Sequence, residues 1–393
     1  MRKQRQIHIL IHILIHILIR EINMDYLAAV TAHGLALRDV PVDMMTHDIC
    51  LMAVTQDGDA LEHVPKDILT HDICLAAVTE CGLALMCVPK DILTHDIYLA
   101  AVTAYGYALK YVPVDMRNHE ICLAAVTECG YALMYVPMDT TTHDICLMAV
   151  TMYGDLLRDV PVDMRTHDIC LAAVTDYGLA LRDVPMGMRT HEIYLAAVTQ
   201  NSNALRNVPM GARTHDICLA AVNQDGTAIQ CVPKDILTHD IYLAAVTKHG
   251  LALEYVPVNM MTHEICLMAV KRRWSAIKYV PMGARTYDIY LHAVTECGLA
   301  LEYVPVNLEQ SFGIVKSKTI TVCVAAIKQN PRAVKYIPAV YKSAKELIKY
   351  MPCIITHFKT FTDEQYMNLV DINPCIVCYY QHHAIVLQSA LCM

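Results

Sequence analysis

The dipeptide Val-Pro recurs every 24 residues from Val40-Pro41 to Val304-Pro305, twelve copies without one insertion or deletion. So strict a period means one structural unit stacked on itself. Length alone, 393 residues, would suggest two or three globular domains. The repeats overrule that prior and divide the chain into a low-complexity start (1–21), an array of twelve units (22–309) and a diverged C-terminal segment (310–393).

The copy from Thr46 to Leu69 reads THDICLMAVTQDGDALEHVPKDIL. Thr46 suits a helix N-cap, and Asp48 puts negative charge in the first turn, where the helix dipole favours it. Ile49, Leu51, Ala53 and Val54, with Cys50, form a broad apolar face. Gly58 then reads as a left-handed C-terminal cap. Ala60, Leu61 and Val64 make a second apolar patch at helical spacing, a short helix of about six residues ended by Pro65, which has no N–H to donate. Lys66-Asp67-Ile68-Leu69 is long enough for one turn of 3₁₀ type before the next cap at Thr70.

A β-solenoid of the leucine-rich type has the same repeat length, but it needs alternating leucines and an asparagine ladder. The runs ICLMAV and ICLAAV are continuous, Ala-rich and helical in character. The expected fold is an all-α tandem-repeat solenoid, a superhelix of helix–turn–short-helix units with a degenerate C-terminal cap. At 8–10 Å between neighbouring helices, twelve units would stack along about 100–120 Å.

The string L-A-A-V-x-x-x-G-x-A-L-x-Y-V-P, clear at Leu123 to Pro137 and Leu243 to Pro257, resembles the repeat of the domain-of-unknown-function 4116 family. That family occurs in tandem in giant viruses of amoebae, some protists and bacteria, and has no established activity. The resemblance covers residues 22–309 and, more weakly, Thr319 to Pro338. The unit is also similar to the leucine-rich-repeat variant, which pairs an α-helix with a 3₁₀ helix; neither likeness supplies a catalytic residue. This chain departs from the family consensus by placing Thr-His-Asp at most helix starts.

That departure creates a column of ten histidines: His47, His71, His95, His119, His143, His167, His191, His215, His239 and His263, each followed by Asp or Glu. Seven copies add Cys three residues on, as at His47 and Cys50, and His with thiolate one turn apart suits zinc. Against a metal ladder, Tyr98, Tyr194, Tyr242 and Tyr290 stand in the Cys column, and tyrosine fills a core gap but is a poor zinc ligand. A pH-responsive ladder is the milder alternative, because imidazole titrates nearest neutrality. Bridges along the Cys column are not expected, since stacked helices hold equivalent Cα atoms about 8–10 Å apart and a disulfide needs about 4.4–6.8 Å.

Two other features interrupt the pattern. Lys271-Arg272-Arg273-Trp274 puts the chain's single tryptophan in the glycine column and marks a candidate contact site, against the plainer reading of drift in one repeat. Ser202 stands in the same column. Cys375-x-x-Cys378 followed by His382 and His383 has zinc-like spacing. Aligned with the repeat, Thr362 falls on the cap, Pro374 on the glycine and Ile376-Val377 on the Ala-Leu pair, so a diverged repeat accounts for most of it.

The net charge of −8 conceals an asymmetry. Residues 21–309 hold 18 Lys+Arg against 35 Asp+Glu, whereas residues 310–393 hold 9 against 4 and the first twenty add Arg2, Lys3, Arg5 and Arg20. An acidic array repels phosphate backbones, so the expected partner is a protein, one with a basic surface, and not nucleic acid. The seventeen cysteines are an odd count in a long chain and read as free thiols of a reducing compartment, the cytoplasm, or a host cytoplasm or virion if the resemblance carries a viral setting.

Residues 7–18 are Ile-His-Ile-Leu three times over, which puts His8, His12 and His16 on one helical face. No cleavage site follows at Arg20-Glu21-Ile22, so an expanded short repeat is the simpler origin, with Met24 as a second start. No apolar run reaches the 18 or so residues of a membrane span. Phosphate loops, nucleophile elbows and metalloprotease motifs are absent. The segments 87–103 and 231–247 are the same string, CVPKDILTHDIYLAAVT, and such block copying suits a surface that scales with length. The expected function is a non-enzymatic protein-binding scaffold without cofactor; the alternatives are a metal- or pH-responsive binder using the histidine ladder, and an enzyme with an unrecognised site.

Overall fold

A computed structural model describes residues 23–305 and 316–337, with positions 8, 10, 14 and 21. The candidate zinc residues Cys375, Cys378, His382 and His383 lie outside the described residues, as does most of the low-complexity start. Among the described residues there is no strand. The chain forms two units, residues 1–200 and 201–393.

The N-terminal unit contains α1 (23–32), α2 (His47–Gln56), α3 (His71–Glu80), α4 (His95–Ala104), α5 (His119–Glu128), α6 (His143–Met152), α7 (His167–Asp176) and α8 (His191–Gln200). A six-residue 3₁₀ helix follows each of α1 to α7, such as Gly58–His63 after α2. The C-terminal unit opens on the 3₁₀ helix Ser202–Asn207 and continues with α9 (His215–Gln224), α10 (His239–Lys248), α11 (His263–Arg272), α12 (Tyr287–Glu296) and α13 (Lys316–Gln329). Within each unit a helix packs on its neighbour and on the 3₁₀ helices on either side of it in sequence. This is an all-α repeat solenoid. A ten-residue helix is marginal by itself in water, so the stacking holds each one in place.

The core follows one plan from repeat to repeat. From α2 it takes Ile49, Cys50, Ala53 and Val54, and from the 3₁₀ helix Ala60, Leu61 and Val64. Leu51, expected on this face, is only half-buried. At 100° per residue it sits about 60° beyond the arc that runs from Ile49 to Val54. The tyrosines that replace Cys, at Tyr98, Tyr194, Tyr242 and Tyr290, are buried in the same column.

Gly58 corrects the expectation of a left-handed cap. Helix α2 ends at Gln56, Asp57 is extended (φ −152°, ψ 109°) and Gly58 opens the 3₁₀ helix. Glycine is required there by close approach: a Cβ would press on the Ala77 carbonyl and lie 2.6 Å from the Cys81 Cβ, both in the next repeat. The amide at this position is also claimed by the next repeat, as where Gly154 N–H donates to Asp176 Oδ2 at 2.7 Å and Gly178 N–H to Gln200 Oε1 at 2.7 Å.

The Val-Pro step leads into a single turn, either 3₁₀ as at Val114–Met116 or a plain turn as at Pro65–Ile68. An arginine five residues after the valine then ties repeats together, which the sequence reading did not anticipate. Arg165 donates from Nε to Val160 O (2.9 Å), from Nη2 to Arg158 O (3.0 Å) and from Nη1 to Asp183 O of the next repeat (2.6 Å). Arg117 repeats this with Val112, Lys110 and Tyr135. In the C-terminal unit Arg285 bonds Val280 O and Tyr303 O. The planar five-donor guanidinium suits three carbonyls at once.

The C-terminal segment keeps the repeat with a longer step. Helix α13 packs on α12, and its Gln329 Oε1 accepts from Gly298 N–H at 2.6 Å, a separation of 31 residues where 22 is usual.

Candidate binding surface

The histidine column lies at the helix starts, and its imidazoles reach forward to the next repeat. His47 Nε2 lies 3.0 Å from Asp72 Oδ2, His71 3.1 Å from Asp96, His119 3.3 Å from Asp144 and His143 2.8 Å from Asp168. Glutamates serve as well, at His95–Glu120 (3.4 Å) and His167–Glu192 (3.7 Å). In the C-terminal unit His215 meets Asp240 at 3.0 Å. The carboxylate adjacent in sequence is a weaker partner, 3.6 Å away for His47 and Asp48. The ladder is therefore a link between repeats, a pairing that helical periodicity within one repeat does not reveal.

The threonine at the cap position has more than one role. Thr46 and Thr262 accept from the Ile49 and Ile265 amides, as an N-cap does. Thr70, Thr142, Thr166 and Thr238 donate their hydroxyls to the aspartate two residues on. His71 Nε2 also lies 3.0 Å from Thr94 Oγ1. That threonine hydroxyl is the main influence holding the Asp72, Asp96, Asp144, Asp168 and Asp240 carboxyls below their usual value, with the facing imidazole adding to it.

The cysteine column turns the other way. Cys50, Cys74, Cys122 and Cys146 are buried free thiols, each pushed up to about 11 by burial, while three residues earlier His47 is half-buried and His71, His119 and His143 are exposed. Among the described residues no three His, Cys, Asp or Glu side chains group to hold a metal ion.

The helix ends form a second surface, and here the two units differ. In the N-terminal unit it carries tyrosines: Tyr105 and Tyr107 have ring centroids 5.7 Å apart, Tyr107 and Tyr135 meet edge-on at 6.3 Å, and Tyr131 and Tyr153 lie 4.6 Å apart. Tyr105, Tyr153, Met86 and Met134 are exposed, as are the helix-end carboxylates Glu80 and Glu128. Tyr131 O–H donates to Asp155 at 3.4 Å. Residues 21–200 hold 9 Lys+Arg against 25 Asp+Glu, a net charge of −16.

In the C-terminal unit two successive repeats put basic residues in the same columns, between Gln224 and Glu296 at the helix ends on either side. Lys248 ends α10 and His249 follows it, while Lys271 and Arg272 end α11 and Arg273 follows. All five are exposed, and Trp274 is half-buried as the first residue of the next 3₁₀ helix. Arg272 Nε donates to the Lys248 carbonyl at 3.3 Å, which sets the two helix ends side by side. Cations at helix C-termini are also favoured by the dipole. Residues 201–309 hold 9 Lys+Arg against 10 Asp+Glu. The tetrapeptide that broke the sequence pattern is thus half of a larger cluster that spans two repeats.

An all-α solenoid with strictly repeating side-chain columns is the class these features define. Residues 47–93, 94–141 and 238–282 match the model of the family described as Domain of unknown function (DUF4116), and those segments are repeats of that family. Each match spans about two of the 24-residue units. No curated protein matches the chain. Among the described residues, no helix is long and apolar enough to cross a membrane.

Proposed function

We propose that this chain is a non-enzymatic protein-binding scaffold, whose N-terminal unit presents an acidic surface to partners with basic faces, in a reducing compartment such as the cytoplasm of a cell or of a viral host. The observation that carries this reading is the clustering of tyrosines from Tyr105 to Tyr153, in a stretch of repeats that also exposes Met86, Met134 and the helix-end carboxylates Glu80 and Glu128. Tyrosine and methionine are the residues enriched in protein interfaces, and a tyrosine face also attracts a guanidinium. The acidic field of the unit would speed encounter with a basic partner. Fluorescence anisotropy with a labelled arginine-rich peptide tests it. Replacing Tyr105, Tyr135 and Tyr153 together by Ser, which leaves the charge unchanged, is expected to weaken binding at least tenfold. Equal affinity for the variant, or tighter binding of an RNA oligonucleotide than of the peptide, would refute it.

A second reading rests on the forward pairing of His47 with Asp72 and its equivalents. Protonation of these imidazoles would place opposite charges across successive repeats and draw them together. If so, replacing His47, His71, His119 and His143 together by Gln lowers the thermal midpoint of the full chain; an unchanged midpoint removes the idea.

A further inference from the structure

We propose that the basic helix-end edge of the C-terminal unit, formed by Lys248, His249, Lys271, Arg272 and Arg273, docks on the acidic tyrosine-bearing edge of the N-terminal unit in a second copy of this chain. The inference rests on the reading that the N-terminal edge takes basic surfaces, and it names one such surface.

Three observations converge. The first is register: Lys248 and Arg272 occupy the helix-end position that Glu80 and Glu128 occupy in the other unit, so the repeat presents opposite charges from equivalent places. The second is availability. Most of the other arginines are engaged, Arg117, Arg165 and Arg285 by backbone carbonyls and Arg158 and Arg182 by neighbouring aspartates, and Arg206 stands apart from any such cluster of cations in sequence. Lys271 and Arg273 make no ion pair with a described residue and stand in solvent. Glu80 and Glu128 are likewise exposed and form no ion pair among the described residues. The third is chemistry: the basic edge is rich in Arg and carries Trp274, the acidic edge is rich in Tyr, and guanidinium over tyrosine adds to charge attraction. Cation–tyrosine contacts already occur in the chain, as at Lys278 over the Tyr279 ring at 4.5 Å.

The two edges are different surfaces, so the contact is head-to-tail, and it closes a ring or extends into a chain of copies. It is also screened by salt, because both sets of charges are exposed.

Sedimentation velocity of the full chain over a range of concentrations, at low salt and in about 0.5 M salt, reads the association directly. The wild type is expected to associate at low salt in a concentration-dependent way and to dissociate at high salt. The triple variant K271E/R272E/R273E and the double variant E80K/E128K should each lose self-association at least tenfold. Mixed in equal amounts they should recover it, because the first retains the acidic edge and the second the basic one. Circular dichroism checks that both variants fold, and R272Q/R273Q serves as a milder version of the first. A wild type that stays monomeric, association that persists at high salt, or variants that associate as well as the parent would overturn the inference. The arginine-peptide assay is read separately, so failure of self-association leaves the N-terminal binding surface standing, and failure of peptide binding removes both.

Discussion

The N-terminal and C-terminal units have nearly the same interior and different exteriors. Ile97 and Ile265 are both fully buried in equivalent positions, each beside an inward Ala and Val one turn on. Outside, residues 21–200 carry a net charge of −16, while residues 201–309 balance 9 Lys+Arg against 10 Asp+Glu. Glycine opens all seven 3₁₀ helices that follow α1 to α7, whereas Ser202 and Trp274 take that place in the other unit. The difference shows which columns the stack constrains: the interior must repeat because each helix is the wall of its neighbour's core, and the helix-end edge is free to change sign.

The largest test of that comparison concerns the core. Ile97→Ala and Ile265→Ala should each cost about 2–5 kcal/mol, because both delete buried methyl groups and leave a cavity. Denaturant unfolding of the full chain measures the loss. The single tryptophan, Trp274, reports the C-terminal unit by fluorescence, and circular dichroism reports both. Costs that differ by more than about 2 kcal/mol would mean the two interiors are not equivalent.

The glycine column should give a smaller and less symmetrical effect. Gly82→Ser places a Cβ against the Ala101 carbonyl and 2.7 Å from the Tyr105 Cβ. A cost of roughly 1–3 kcal/mol is expected from that overpacking. The reverse change in the other unit, Ser202→Gly, relieves contact but adds chain entropy to the unfolded state, and should stay within about 1 kcal/mol of the parent. If Gly82→Ser is as mild as Ser202→Gly, close approach does not explain the column.

The smallest effect is on acid stability. Asp72, Asp96, Asp144 and Asp168 in the N-terminal unit, and Asp240 in the C-terminal one, have carboxyls lowered chiefly by a threonine hydroxyl. A lowered carboxyl contributes stability that is present above its unfolded value, near about 3.9, and is lost as pH falls through the folded value. The contribution of each is modest because all are exposed. The N-terminal unit has four such groups, and in its neighbour the Thr214–Asp216 bond repeats the arrangement beside Asp240, so both units should lose stability between about pH 5 and pH 2, the N-terminal one more. Replacing Thr70, Thr94, Thr142 and Thr166 by Val should flatten that loss in circular dichroism while the Trp274 signal keeps its acid midpoint. An unchanged acid profile would show that the threonine bonds are not its source.

The sequence by itself determined the repeat, its length and its all-helical character. A 24-residue period with Ala-rich apolar runs and a Pro at each end points to one kind of unit, and the division into a helix, a short helix of about six residues and a turn follows from local spacing, while the structure decided that the short helix is 3₁₀ and begins at the glycine. The buried Cys column was also legible, because tyrosine substitutes in it. Tertiary structure alone decided everything that joins one repeat to the next. Gly58 is needed by the Ala77 carbonyl 19 residues away, not by its own backbone angle; His47 takes its carboxylate from Asp72; Arg165 finds one of its three carbonyls at Asp183. These partners lie 18 to 25 residues apart, and periodicity within a single helix is blind to that distance, because residues are brought together there by the stacking step and not by the helical turn. The basic cluster was half legible for the same reason. Lys271-Arg272-Arg273 is visible as a run, but Lys248 and His249 join it only when α10 and α11 are set side by side and Arg272 reaches back to the Lys248 carbonyl.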